Sequence, residues 1–168
     1  MRDTAFKRVL KAMAQGSVVK LQGPAGDLTL DHDVRRTAVF LAGGIGITPF
    51  RSIVFDAAKE KFPQRIFLFY SNHRPEDAPF LDELQALEKE NSNYKLVASM
   101  TEMAKSHRPW HGESGQIRQA LLSRYLKDAI SPVYYIAGPP EMVKGLHTMI
   151  KEVGVTDDNI RAEEFDGY

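Results

Sequence analysis

The heptapeptide Gly43-Gly44-Ile45-Gly46-Ile47-Thr48-Pro49 constrains this chain more than any other stretch. It follows a short apolar run, Ala38 to Ala42, and precedes a helical pattern of Phe50, Ile53, Val54 and Ala57. That order reads as strand, glycine-rich turn, helix, with backbone amides placed where no Cβ keeps a ligand away. Thr48 suits an N-cap and Pro49 the first helical position. Unpaired N–H groups and roughly half an elementary charge of helix dipole then face the turn. A pyrophosphate fits such a place, and nucleotide binding is the leading reading. A tight strand-to-helix reversal with no ligand accounts for the same residues. The spacing, Gly44-x-Gly46-x-x-Pro49, lacks the third glycine of the usual dinucleotide fingerprint. No acidic residue ends the next strand about 20 positions on; Tyr70-Ser71-Asn72-His73-Arg74 stands there instead.

The remaining composition removes several function classes. A hydrophobic fraction of 43% over 168 residues is enough for one ordinary core. A formal net charge of zero gives no electrostatic reason to expect nucleic acid or an anionic membrane as partner. The absence of cysteine excludes disulfides, a cysteine-ligated iron–sulfur cluster and a thiol nucleophile. The five histidines show no metal-ligand spacing, so no metal site is expected. No apolar run approaches the roughly 20 residues of a membrane span, and a cytoplasmic location is the expectation. The basic, amphipathic first turns resemble a targeting presequence, but a folded amphipathic helix explains the same pattern.

In chain order, Asp3 or Thr4 caps a helix with a buried stripe of Phe6, Val9, Leu10 and Met13, and Gly16 stops it. Two short strands, 18–21 and 27–30, flank the turn Gly23-Pro24-Ala25-Gly26. Beyond the charged connector 31–36, strands at 38–42, 65–70, 94–100, 133–137 and 160–165 alternate with helices carrying Leu81, Leu84 and Leu87, then Leu121 and Leu122, then Val143, Leu146 and Ile150. The fold class is therefore α/β: a doubly wound, five-stranded parallel sheet with four crossover helices. Ligands of such sheets bind beyond the carboxyl ends of the strands. Here those ends are Gly43 to Thr48, Ser71 to Arg74, Ser99 to Glu102, Gly138 to Pro140, and the C-terminus.

Four of these segments carry a resemblance. Leu41 to Phe50, Phe69-Tyr70-Ser71-Asn72-His73-Arg74, Tyr135-Ile136-Ala137-Gly138-Pro139-Pro140-Glu141-Met142-Val143 and Glu163-Glu164-Phe165-Asp166-Gly167-Tyr168 resemble, in order and spacing, the motifs of the ferredoxin–NADP reductase superfamily. The resemblance covers essentially the whole chain. It implies a Rossmann-like NAD(P)-binding domain working in a flavoprotein, in which NAD(P)H gives a hydride to FAD and electrons pass to an acceptor protein or small acceptor. Carried over residue by residue, Gly43, Gly44, Gly46, Thr48 and Pro49 would hold the pyrophosphate and nicotinamide end. Gly138 and Pro139 would line the nicotinamide pocket, Glu163 would lie near the carboxamide, and Phe165 would stack beside the flavin. Ser71, Arg74 and Ser99 would contact the nucleotide, and Thr4 would lie near the FAD pyrophosphate. Thr48, Glu163 and Phe165 are the candidates nearest the reacting atoms.

Three departures qualify that expectation. Ala137 replaces a cysteine that many relatives carry. Ser99-Met100-Thr101-Glu102 has no arginine for a 2′-phosphate and adds a carboxylate, so NADH is the expected nucleotide, with Arg74 the residue able to reverse that. The flavin-binding Arg-x-Tyr-Ser/Thr motif is not found, so residues 1–34 read as the end of a flavin-binding barrel and 38–168 as the nucleotide domain. Met1 then reads as an internal methionine of a longer protein, or the chain as a stand-alone module. Exposed edges of the N-terminal hairpin would invite self-association. A non-catalytic nucleotide-binding module remains the alternative to the reductase. A small-substrate dehydrogenase is weaker, for no proton relay can be assembled.

Overall fold

The computed structural model describes residues 4–23, 26 and 28–165. Its centre is a parallel sheet in the order β4-β3-β2-β1-β5-β6. The strands are β1 (Ala38–Gly43), β2 (Ile66–Asn72), β3 (Tyr94–Met100), β4 (Glu113–Ser114), β5 (Val133–Gly138) and β6 (Ile160–Glu164). Every residue of β1 and β5 is buried, as strands covered on both faces require. Alternate side chains divide the core in two. Ala38, Phe40 and Ala42 face α2 (Ile47–Lys59) and α3 (Leu81–Glu90), while Val39 and Leu41 face α4 (Gln119–Tyr125) and α5 (Pro140–Glu152). Phe40 stacks on Phe50 with ring centroids 4.6 Å apart and meets Tyr135 edge-on at 5.1 Å. This is the doubly wound arrangement the alternation of strands and helices predicts.

One strand was not expected. β4 is two residues long and pairs Ser99 with Glu113 and Met100 with Ser114. It lies in the polar stretch around Trp110, whose indole N–H donates to Glu113 O at 2.8 Å. Two polar residues carry no periodicity, so only the pairing reveals them.

The N-terminal expectations need correction. Thr4 does cap α1 (Ala5–Ala12), accepting the Lys7 N–H at 3.2 Å. The stripe it introduces is not buried, for Phe6 is 73% exposed and Val9 64%. No strand forms over the described residues of 18–21 or 27–30, and Val18 is 97% exposed. Pro24, Ala25 and Asp27 lie outside the described residues. A lone pair of short strands with nothing to cover it is marginal in water, and the expected hairpin edges for self-association go with it. Leu28 and Leu30 instead pack against the core on the α2–α3 side.

At the opposite end of the sheet from the strand C-termini, Tyr94 is 3% exposed and its hydroxyl has no hydrogen-bond partner. Burying an unpaired hydroxyl is costly. Tyr94→Phe is accordingly expected to leave stability unchanged or raise it by about 1 kcal/mol. Denaturant unfolding measures this, and a clear loss would mean that the phenol is satisfied in solution.

Candidate functional site

The strand order reverses at β1, which lies between β2 and β5, so the turns after β1 and β5 meet. Gly43 pairs with Ser71 on one side, and Gly138, at the end of the other neighbour, pairs with Glu164. The glycines here do different work. A Cβ on Gly46 would stand 2.2 Å from Ala137 O and 2.7 Å from Gly138 Cα, and one on Gly138 would stand 3.3 Å from Gly43 N. Gly46 is therefore demanded by the closeness of two backbones. Gly44 adopts φ +53°, and a Cβ there would meet nothing within 4 Å. It is at Gly44 that the turn opens onto free space.

The helix start differs from the expected one. A 3-10 turn, Gly44–Gly46, runs directly into α2, with Gly46 at the N-cap and no side-chain cap. Thr48 is thus the second helical residue rather than the cap. Its Oγ1 donates to Ile45 O at 3.1 Å, and it is exposed. Pro49 is third, still within the first turn where a missing N–H costs nothing. The turn is tied from below by Tyr70, a fully buried residue whose hydroxyl lies 3.2 Å from Gly44 O and 3.1 Å from Pro79 O. A polar tip closing an apolar strand next to the glycines was the available signal for Tyr70; the sequence reading gave it no role.

Along the β2–β3 side, Ser71 is half-buried and sits between Gly43 and Ser99 in register. Ser99 is buried, and its hydroxyl donates to Gly115 O at 2.5 Å, which commits it to the β3–β4 turn. Arg74 is gripped in a two-pronged contact by Asp77, at 2.6 and 2.9 Å, with Glu76 at 3.9 Å. That pairing holds the Asp77 carboxyl below its usual range and keeps the guanidinium charged. Glu102 pairs with Lys105 at 2.7 Å and stands 3.9 Å from His73. The arginine most able to receive a 2′-phosphate is thus already neutralised by carboxylates.

On the β5–β6 side the structure brings Pro139, Glu163 and Phe165 to the same turn. The Phe165 N–H donates to Gly138 O at 2.9 Å, and its ring packs at the edge of the α2–α3 core. Glu163 is half-buried, its Oε1 2.6 Å from where a Cβ of Gly26 would stand. Thr4 is not brought to this turn by any described contact; its hydroxyl serves α1.

The connector 31–36, read from sequence only as charged, is fastened here as well. The Tyr135 hydroxyl accepts the Asp31 N–H at 2.8 Å, and Asp31 Oδ2 receives Arg36 at 3.1 Å and Arg161 at 3.2 Å. Arg161 also lies over the Tyr135 ring and donates to Thr29 O. Among the described residues no cluster of acidic or histidine side chains could hold a metal ion.

Residues 40–148 match the family model described as the oxidoreductase NAD-binding domain. The chain belongs to that family. It is an NAD-binding domain of the ferredoxin–NADP reductase superfamily, as its four motifs predict. Curated relatives include the corresponding components of Na(+)-translocating NADH-quinone reductase in Pseudoalteromonas atlantica, 31% identical over 160 residues, and in Yersinia pestis, 32% identical. Each alignment covers 93% of this chain, which spans 39% of those relatives' length. Among solved structures, the cytochrome b5 reductase domain of Ulva prolifera nitrate reductase has a TM-score of 0.80 at 23% identity, over 95% of this chain and 66% of that one. The CS-b5R domains of human Ncb5or in their NAD+ form give 0.78 at 21%, over 95% and 45%. These two likenesses bear on the fold alone.

The residues of this NAD-binding domain fit a dinucleotide. Gly44 leaves open space where a diphosphate would lie, α2 begins without a side-chain cap, and Gly138 and Phe165 border the same turn. Among the described residues, no helix is long and apolar enough to cross a membrane.

Proposed function

We propose that this chain is the nucleotide-binding part of an NADH-dependent flavoprotein reductase of the cytoplasm. Bound NADH supplies the hydride, and FAD, held mainly by a barrel to which residues 1–34 are the tail, receives it before the electrons reach an acceptor. The observation that carries the reading is the open Gly44 turn at the strand-order reversal of an NAD-binding domain. The relatives' names, which include an NADH-quinone reductase, support it.

In this reading the chain's own residues bind and orient. Amides of the Gly43–Gly46 turn and the start of α2 hold the diphosphate, with Thr48 and Pro49 shaping that start. Gly138 and Pro139 form the floor for the nicotinamide, and Glu163 faces the carboxamide. Phe165, tied to Gly138 O, stands beside the flavin and shields the ring edge from water. Ser71, Arg74 and the β3 turn behind Ser99 border the adenosine half. No residue needs to move a proton, because positioning the rings is the protein's contribution.

NADH is expected to bind more tightly than NADPH, because Asp77 already occupies the Arg74 fork. Titrating each reduced nucleotide by fluorescence decides this, and tighter NADPH binding overturns it. The visible spectrum of the purified chain with and without FAD, combined with NADH:ferricyanide activity, tests the reductase itself. The exposed apolar side of α1 favours a second reading, in which the chain binds NADH but takes its flavin from a partner chain. Colourless protein that binds NADH and gains activity only with such a partner distinguishes the two.

A further inference from the structure

The Gly44 carbonyl is held from the protein side by two donors. Tyr70 Oη lies 3.2 Å from it, and the Ile47 N–H also points to it. A trans peptide sets its C=O and N–H on opposite sides. Fixing Gly44 O against Tyr70 therefore turns the Ile45 N–H away from Tyr70. Glycine at φ +53° tolerates either orientation of the peptide that follows it, so the backbone alone does not choose. The reversed peptide would present a carbonyl oxygen, which repels an anion.

We propose that Tyr70 is a positioning residue: its hydroxyl anchors the Gly44–Ile45 peptide so that the Ile45 N–H is aimed at the diphosphate of the nucleotide. The inference rests on the nucleotide-binding reading above and names a side chain that acts through the turn without touching the ligand. Two further observations support it. The same hydroxyl lies 3.1 Å from Pro79 O, so the glycine turn and the loop after β2 share one tether. Burial pushes the phenol's ionisation up, against a smaller opposing pull from the Asn72 amide, and the hydroxyl stays a donor throughout the neutral range.

Removing the tether leaves a mixture of peptide orientations, and affinity falls by the fraction still competent. Tyr70→Phe is expected to bind ADP-ribose and NADH about tenfold more weakly, the loss typical of one buried hydrogen bond. Calorimetry with ADP-ribose measures that loss. Amide NMR of the 15N-labelled protein follows the Ile45 resonance, which should move on adding ADP-ribose to the wild type and respond weakly in Tyr70→Phe. Tyr94→Phe makes the same chemical change on the same sheet at the other end, and should leave both readouts untouched.

Wild-type protein that does not bind ADP-ribose sinks the nucleotide-binding reading itself. Wild-type binding with an unmoved Ile45 amide, or equal affinity in Tyr70→Phe, overturns this inference alone. A merely structural tyrosine would lower the melting temperature and leave affinity unchanged. Should Tyr70→Phe fail to fold, the wild-type Ile45 response still decides.

Discussion

Gly46→Ala is expected to lower the stability of the whole domain by about 3 kcal/mol, the upper end of the usual cost of overpacking. The added methyl carbon would stand 2.2 Å from Ala137 O, 2.5 Å from Ala137 C and 2.7 Å from Gly138 Cα. All three are backbone atoms of β5, which is fully buried and paired on both sides, so no flexible side chain can swing aside. The melting temperature should fall by about 6–12 °C, taking the conversion of ~2–4 °C per kcal/mol for a domain of this size. Gly145→Ala is the matching control. It lies inside α5 with nothing within 4 Å of a new Cβ, and should gain about 0.5–1 kcal/mol from helix propensity. Equal melting temperatures for Gly46→Ala and wild type would contradict the packing described between the two turns.

The second large effect falls on affinity and leaves the fold standing. Gly44→Ala adds a methyl where the protein has no atom within 4 Å, at a φ of +53° that alanine adopts at a cost of about 1–2 kcal/mol. The domain should remain folded. NADH binding should drop at least about tenfold, because the methyl takes the space through which backbone amides approach a diphosphate. The two alanines, two residues apart, thus separate the roles of their glycines. Undiminished NADH affinity in Gly44→Ala would place the diphosphate elsewhere.

Such a separation was not legible in the sequence, and the reason is physical. A glycine cluster between an apolar run and a helical pattern says that backbone comes close to something. Only the pairing of β1 with β5 shows that, for Gly46, the something is Ala137, far along the chain. The strands themselves were readable because parallel strands buried on both faces appear as unbroken apolar runs, as in Ile66 to Tyr70. Where burial is one-sided or slight the signal fades, as at Glu113–Ser114 and across residues 18–21.

The polar residues of the candidate site divide in the same way. Their position at the strand ends follows from topology, which alternation of elements predicts. Their partners do not. Ser99 looks available until its hydroxyl is found on Gly115 O, and Arg74 looks like a free cation until Asp77, three residues on, is seen to grip it. Thr48 was placed at the cap because the helix was assumed to begin after it, whereas a 3-10 turn brings the start forward to Ile47. Boundaries of that kind depend on a single hydrogen bond, which residue type leaves undetermined.

The latch formed by Asp31, Arg36, Arg161 and Tyr135 has a mechanical consequence. It welds the incoming chain, from Leu28 onward, to the closing strand, so the stretch between residues 31 and 37 cannot act as a pivot. Any body attached ahead of it must swing about a joint upstream of Leu28, and its arc is centred on the corner that Glu163 and Phe165 occupy.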